Sequence, residues 1–248
     1  FVSGGAPLPA ETARFFFALG LPILQGYGLT ETSPVIAVNP PSDPRAEGVG
    51  LPFKSVEVRI AEDGEICVRG PSVMRGYWNR PEETAAVFDE EGWFHTGDVG
   101  RFDEEGRLHI TDRKKNILVL STGKKVAPQL VETRLKTSPF IAEVILLGDQ
   151  RATVSALVIP DFEALRSRDG MQSLTNKELA ESPEVRRLLR AEIDRLSEGL
   201  AEYERVGRFA ILDRELQADA GEVTPTLKPR RAVVLEHFAE AVRSVYGE

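Results

Sequence analysis

Residues 92 to 116, GWFHTGDVGRFDEEGRLHITDRKKN, constrain the fold more than any other stretch of this chain. Two short strand-like runs flank an acidic turn that closes on Gly106, the pattern of a β-hairpin, and the second run exits straight into Asp112, Arg113, Lys114 and Lys115. The sequence before the hairpin is acidic and rich in Gly and Pro, and the sequence after it is helix-rich and balanced in charge. Residues 1 to 113 hold 10 Lys and Arg against 18 Asp and Glu, and residues 114 to 248 hold 21 of each, so the whole net charge of −8 sits in the first part. A domain junction is therefore expected here, with one domain over 1 to 113 and a second over 114 to 248, hinged near Lys115. The stretch also carries Asp98 in a Thr-Gly-Asp turn and the Asp112-Arg113 pair, residue types suited to gripping a polyhydroxy, phosphorylated ligand.

The fold class expected is α/β followed by α+β: the end of a large α/β domain with a β-rich subdomain, then a small α+β C-terminal domain. Phe1 to Ser3 reads as the end of a buried strand, and Pro9 opens a helix over 10 to 19 whose apolar side is Phe15, Phe16 and Phe17, with Gly20 beyond its end. A strand over 22 to 25 leads into GYGLTETS. From about 47 to 113 short alternating strands dominate, with Val56, Val58 and Ile60, a turn at Asp63-Gly64, and Ile66 and Val68 inward. Beyond the junction come a strand over 116 to 120, a helix from Pro128 to about 136, and strands over 143 to 147 and 153 to 159. A long amphipathic helix follows from Pro183, capped by Ser182, with Val185, Leu188, Leu189, Ile193, Leu196, Leu200 and Tyr203 on one face. A last helix over about 231 to 246 closes the chain.

Several function classes recede on these grounds. An acidic chain with no basic run longer than residues 113 to 115 does not fit sequence-independent nucleic-acid binding. No apolar run approaches the length of about 18 residues that spans a bilayer, and no signal peptide is expected. The lone Cys67, in an apolar run, has no internal disulfide partner, so a reducing, cytoplasmic setting is expected. The start at Phe1-Val2-Ser3, in mid-strand and without Met, points to a fragment of something longer.

Taken one at a time, the candidate motifs are weak. Gly26 to Glu31 joins two glycines, a hydroxyl, a carboxylate able to hold Mg²⁺ and an aromatic ring able to stack on a base; the bland alternative is a strand-to-helix turn capped by Thr30. Residues 121 to 125, STGKK, superficially resemble a phosphate loop, but Lys125 stands where Ser or Thr is required and Leu118 where Gly is required, so this is not a Walker A motif. His95, His109 and His237 share no metal-like spacing and read as packing or solvated residues. Trp78 and Trp93 read as core aromatics at strand ends, and residues 90 to 91 and 103 to 105 as solvated turns.

Taken in order, GYGLTET at 26 to 32, GEICVRG and GYWNRPEET at 64 to 84, WFHTGD at 93 to 98, DRKKN at 112 to 116 and TPTLKPRR at 224 to 231 resemble the successive core motifs of the adenylate-forming superfamily, which contains acyl-CoA synthetases, luciferases and peptide-synthetase adenylation domains. VSGGAPL near the start and LVIPDFEAL at 157 to 165 look most like bacterial long-chain fatty acyl-CoA synthetases. The resemblance implies ATP or AMP, Mg²⁺ and CoA as cofactors and a fatty acid as substrate. It implies that Gly5 and Ala6 line the adenine pocket, Tyr27 stacks on the base beside Gly28, Thr30 contacts the phosphate and Glu31 holds Mg²⁺. It implies further that Asp98 takes both ribose hydroxyls, that Arg113 adds a second ribose contact, that Lys228 bridges acyl carboxylate and α-phosphate in the first half-reaction, and that the loop with Gly123 lines the pantetheine tunnel in the second. Peripheral membrane contact and a homodimer of the full-length protein stay open.

Two departures qualify the resemblance. The Gly expected before the catalytic lysine is Leu227, and the Ser/Thr/Gly-rich loop that cradles the β- and γ-phosphates is absent, so it is expected upstream and the isolated chain is expected not to form an adenylate efficiently. The alternatives are a relative that passes the acyl group to a carrier protein or to oxygen, and a truncated adenylate-binding module or split-enzyme subunit.

Overall fold

The computed structural model describes residues 1–225 and 227–247. By its internal contacts the chain divides into two units, Phe1–Asn116 and Ile117–Glu248, each with its own apolar core.

The first unit holds two four-stranded sheets. In the first sheet β1 (Val2–Ser3) runs parallel to β2 (Leu24–Gly28), with α1 (Ala10–Ala18) between them in sequence, and β3 (Val35–Val38) and β4 (Leu51–Pro52) continue antiparallel. Two expectations fail here. Phe1 and Val2 are exposed, so β1 is a strand but not a buried one, and α1 buries only Ala13 while Phe15 stays 61% exposed. The Phe15–Phe17 run cannot act as one apolar face, because consecutive helical residues lie about 100° apart around the axis. The strand before the glycines is also longer than expected: Gly26, Tyr27 and Gly28 belong to β2 itself.

In the second sheet β5 (Glu57–Ile60), β6 (Glu65–Arg69), β7 (Phe94–Phe102) and β8 (Leu108–Arg113) form an antiparallel meander, with α2 (Pro81–Ala85) between β6 and β7. The hairpin expected at residues 92 to 116 is β7–β8. Its turn is fixed by Asp103, whose carboxylate accepts from the amides of Glu105 and Arg107 and from His109. Ile36, Ala37, Val56, Ile66, Val68 and Leu108 form the core between the sheets. Trp93 is buried between the guanidinium groups of Arg59 and Arg69, 4.5 and 4.6 Å from its ring centre, whereas Trp78 is 89% exposed and is no core residue.

In the second unit a short hairpin, β9 (Leu118–Val119) with β10 (Lys125–Val126), precedes α3 (Pro128–Leu135). β11 (Ile141–Leu147) pairs antiparallel with β12 (Ser155–Pro160). Then come α4 (Phe162–Arg166), α5 (Asn176–Glu181) and α6 (Pro183–Leu196). Ser182 both ends α5 and caps α6, accepting from the amides of Glu184 and Val185, and Val185, Leu189, Ile193 and Leu196 are the buried stripe of α6. The face expected to run on to Tyr203 stops at Leu196, and Tyr203 is partly exposed in a separate turn.

A third strand not read from the sequence, β13 (Arg208–Ile211), lies parallel to β12. Every residue of β12 is buried, as expected of a central strand covered on both faces. The single C-terminal helix expected is two, α7 (Arg231–His237) and α8 (Ala239–Tyr246), broken at Phe238. No helix among the described residues is long and apolar enough to cross a membrane.

Candidate functional site

β2 and β7 bring the first candidates together. Gly28, at the end of β2, sits so close to the next strand that a Cβ would lie 1.7 Å from the Pro34 carbonyl oxygen, so only glycine fits. The Tyr27 ring before it is partly buried, and its hydroxyl donates to Asp98 Oδ2 at 2.7 Å. Asp98 is 5% exposed in the middle of β7. Its register partner on β8 is Arg113, whose Nε lies 3.1 Å from Asp98 Oδ1.

The backbone around Asp98 is held in turn. Thr96 donates its hydroxyl to the Ile66 carbonyl and accepts from the Asp98 amide at 3.1 Å. Gly97, at φ 71°, donates its amide to Glu65 Oε1 at 2.9 Å. Glu65, buried in β6, also takes His95 Nδ1 and Lys114 Nζ, at 3.0 and 2.8 Å. Burial pushes the Glu65 pKa up, but the bonds from Lys114, His95 and Gly97 outweigh it and hold the carboxyl below its ordinary value. Glu65 was missed by sequence reasoning; the available signal was a carboxylate at the head of the apolar run Ile66-Cys67-Val68.

Charge at this centre is costly. Burial raises the Asp98 pKa against the lowering influence of Tyr27 and Arg113, and the neighbouring charges of Asp112 and Glu65 raise it further. Burial and the Asp98 charge raise the Tyr27 phenol as well, so the phenol is a fixed donor. Asp98 Oδ2 accepts the Tyr27 hydroxyl and Oδ1 is ion-paired with Arg113, and each oxygen keeps a lone pair that a ligand hydroxyl can reach.

After Gly28 the chain turns through Thr30–Thr32, a single 3₁₀ turn. Its cap is Thr32 and not the expected Thr30: the Thr32 hydroxyl takes the Leu29 amide, while Thr30 is exposed. Glu31 Oε1 accepts from the Tyr77 hydroxyl at 3.0 Å, and the Glu31 carbonyl accepts from the Met74 amide. Glu31 Oε2 has no partner among the described residues, and no cluster of three or more His, Cys, Asp or Glu that could hold a metal occurs among them. One carboxylate with a free oxygen fits Mg²⁺ that takes its remaining ligands from phosphates and water. Tyr77 is an addition to the expected set, already present in the GYWNRPEET motif.

Gly5 and Ala6 follow β1 in an exposed turn, and β1–β2 pairing places that turn beside Gly26. Gly123 and Lys228 lie in the second unit. Gly123, with its amide on the Leu120 carbonyl, closes the β9–β10 turn. Lys228 is exposed on a tight loop: Val223 bridges Pro229, the Thr224 amide donates to the Lys228 carbonyl at 2.8 Å, and the Lys228 amide donates to Thr224 Oγ1 at 3.1 Å. Thr226 of this motif lies outside the described residues. Each histidine pairs with a carboxylate: His95 with Glu65, His109 with Asp103, His237 with Glu222.

Comparison with known proteins bears on this arrangement. A family model described as AMP-binding enzyme matches residues 1–78, and one described as AMP-binding enzyme C-terminal domain matches residues 115–248. The chain is 39% identical over 251 residues to a long-chain-fatty-acid–CoA ligase, FadD15, of Mycobacterium bovis, covering 100% of the chain and 42% of that protein. It is 32% identical to long-chain-fatty-acid–CoA ligase 1 of Cavia porcellus, covering 99% of the chain and 38% of that protein. The chain thus spans about two-fifths of the length of the curated relatives it matches. Among solved structures, the adenylation domain of a carboxylate reductase from Mycobacterium chelonae superposes with a TM-score of 0.79 at 26% identity, over 100% of this chain and 38% of its own. ATP-bound MatB from Rhodopseudomonas palustris gives 0.71 at 27% identity, over 96% and 45%.

Proposed function

The chain belongs to the AMP-binding, adenylate-forming enzyme family, and on that premise we propose that it is the adenosine-binding and C-terminal portion of an AMP-forming ligase that joins long-chain fatty acids to CoA. The observation that carries this reading is the buried Asp98 carboxylate, held by Tyr27 from one sheet and Arg113 from the next strand with a lone pair left on each oxygen. Such a carboxylate suits a pair of ribose hydroxyls. Fatty acid as substrate and CoA as acceptor rest on the names of the ligase relatives.

In the first half-reaction a carboxylate oxygen of the acid attacks the α-phosphorus of ATP, the new C–O–P link forms, and pyrophosphate leaves with the electron pair of the broken P–O bond. Asp98 and Arg113 hold the ribose, Tyr27 stacks on the base with Gly5 and Ala6 alongside, and Thr30 donates to the phosphate. Glu31 would hold Mg²⁺, which would supply charge neutralisation on the phosphates. Lys228 places its ammonium between the two reacting anions, where negative charge concentrates, so its contribution is electrostatic and no proton has to move. In the second half-reaction the CoA sulfur attacks the acyl carbonyl, its proton passes to solvent, the C–O bond to the phosphate breaks and AMP departs with that electron pair.

The two half-reactions call for different residues of the second unit, Lys228 first and the Gly123 turn later, which requires a rotation. Lys114 is tied to Asp63 and Glu65 at 2.6 and 2.8 Å and Asn116 to Asp112 at 3.1 Å; these ties support a pivot in the proposed rotation close to Lys115. The test is Lys228→Ala in a full-length protein carrying this chain. Pyrophosphate exchange should fall by about 100-fold or more while thioester formation from preformed acyl-AMP stays within about threefold; equal losses in both would remove Lys228 from this role.

A further inference from the structure

The loop that presents Lys228 is closed at its base by Glu222, and Glu222 uses every hydrogen-bonding atom it has. Its amide donates to the Gln217 carbonyl at 3.0 Å, and its carbonyl accepts from the Arg230 amide at 2.7 Å. Oε1 takes Arg214 Nη2 at 2.6 Å and faces His237 Nδ1 at 2.8 Å, while Oε2 takes Arg214 Nη1 at 2.8 Å and the Gln217 amide at 2.7 Å. The residue has no exposed surface. Three separate segments meet there: the chain leaving β13, the two legs of the lysine loop, and the end of α7. Arg214 is pinned from its other side by the Phe238 ring, 4.4 Å from its guanidinium carbon, at the break between α7 and α8.

A fully saturated, buried carboxylate at the foot of an exposed loop is more than the loop needs to be solvated. The turn itself is made of the Thr224–Lys228 and Leu227–Thr224 backbone bonds, with Leu227 at φ 59°. Those bonds define the shape of the loop and not its direction. Direction is set where the legs join the body of the unit, at Glu222 and Arg230. We propose that Glu222 is a positioning residue for adenylation: through its paired grip on Arg214 and His237 it fixes the direction in which the loop holds Lys228. It acts through Lys228 and does not touch substrate, so this inference rests on the role proposed above for that lysine.

The test has two arms. In the 248-residue chain, hydrogen exchange is followed at the Thr224 and Lys228 amides and at those of β12, in the native sequence, in Glu222→Gln, and in Arg214→Lys, which keeps a cation but loses the paired geometry. Both variants should speed exchange in the loop by about tenfold through local opening, while β12 speeds only by the factor that their loss of global stability accounts for. In a full-length protein, Glu222→Gln should lower kcat of pyrophosphate exchange by about tenfold, with KM for ATP and thioester formation from preformed acyl-AMP within about twofold. Unchanged exchange at the loop, or equal loss in the two half-reactions, overturns the proposal. Lys228→Ala is measured in parallel: if it retains adenylation, the role of the lysine falls and that of Glu222 with it, whereas if it loses adenylation and Glu222→Gln does not, only the Glu222 proposal fails.

Discussion

The Tyr27 hydroxyl and the Asp98 carboxylate meet at 2.7 Å across 71 positions of sequence. The contact joins β2 of one sheet to β7 of the other, so the ring proposed to stack on a base and the carboxylate proposed to hold a ribose are set at a fixed spacing before any ligand arrives. Tyr27→Phe keeps the ring and removes the bond. It should weaken AMP binding by about tenfold or more, the worth of one hydrogen bond to a charged partner, and Tyr27→Ala should weaken it further by the loss of stacking. Calorimetry on the two variants measures both effects; equal losses would mean that the ring itself contributes nothing.

Tyr77 stands to Glu31 as Tyr27 does to Asp98, a phenol donating to one carboxylate oxygen at 3.0 Å. It orients Glu31 and leaves Oε2 without a partner among the described residues. In a full-length protein Tyr77→Phe should raise the Mg²⁺ concentration for half-maximal adenylation by roughly tenfold, as the loss of a partner behind a metal ligand does. Glu31→Gln should raise it more. An unchanged Mg²⁺ dependence in both would remove Glu31 from the metal.

Acid should find the second unit at Glu222. Arg214 first, then His237 and the Gln217 amide, hold its pKa at about 2 against an ordinary 4.5 in spite of the opposing cost of burial. Arg230 and Asp213 are charged groups beside this clamp, and Lys177, Glu181 and Glu240 line the same cavity as His237. A depressed carboxyl stabilises the folded chain in full above pH 4.5, and that contribution is lost as pH falls from 4.5 toward 2. Urea unfolding of the 248-residue chain should therefore show Glu222→Gln less stable than the native sequence by roughly 2 kcal/mol at pH 7, with the difference shrinking through that window. A constant difference would mean the carboxylate charge does not matter. Asp98 has the opposite sign, since its pKa is raised, and its share is present at low pH and lost as pH rises through its folded value.

Local chemistry was legible where it is strong. The β7–β8 hairpin announces itself through the acidic turn before Gly106, and α6 through Ser182-Pro183 and its four buried apolar positions. What depends on long-range pairing was not. β13 is only four residues, RFAI, and becomes a strand because β12 offers it an edge. The C-terminal helix breaks at Phe238, where its ring stacks on Arg214, a residue 24 positions earlier. The candidate site divides the same way. Asp98, Arg113, Tyr27 and Glu31 stand out by their motifs, but Glu65 and Glu222 look like turn residues until the structure supplies partners such as Lys114, 49 positions away, and His237, 15 away.

The most direct measurement is calorimetric titration of the 248-residue chain and its Asp98→Ala variant with AMP and with a non-hydrolysable long-chain acyl-AMP analogue. The native chain should bind both, and the variant should bind each at least about tenfold more weakly, since both ligands share the ribose. Equal affinity in chain and variant, or no binding by a native chain that circular dichroism shows to be folded, would contradict an adenosine site built on Tyr27, Asp98 and Arg113.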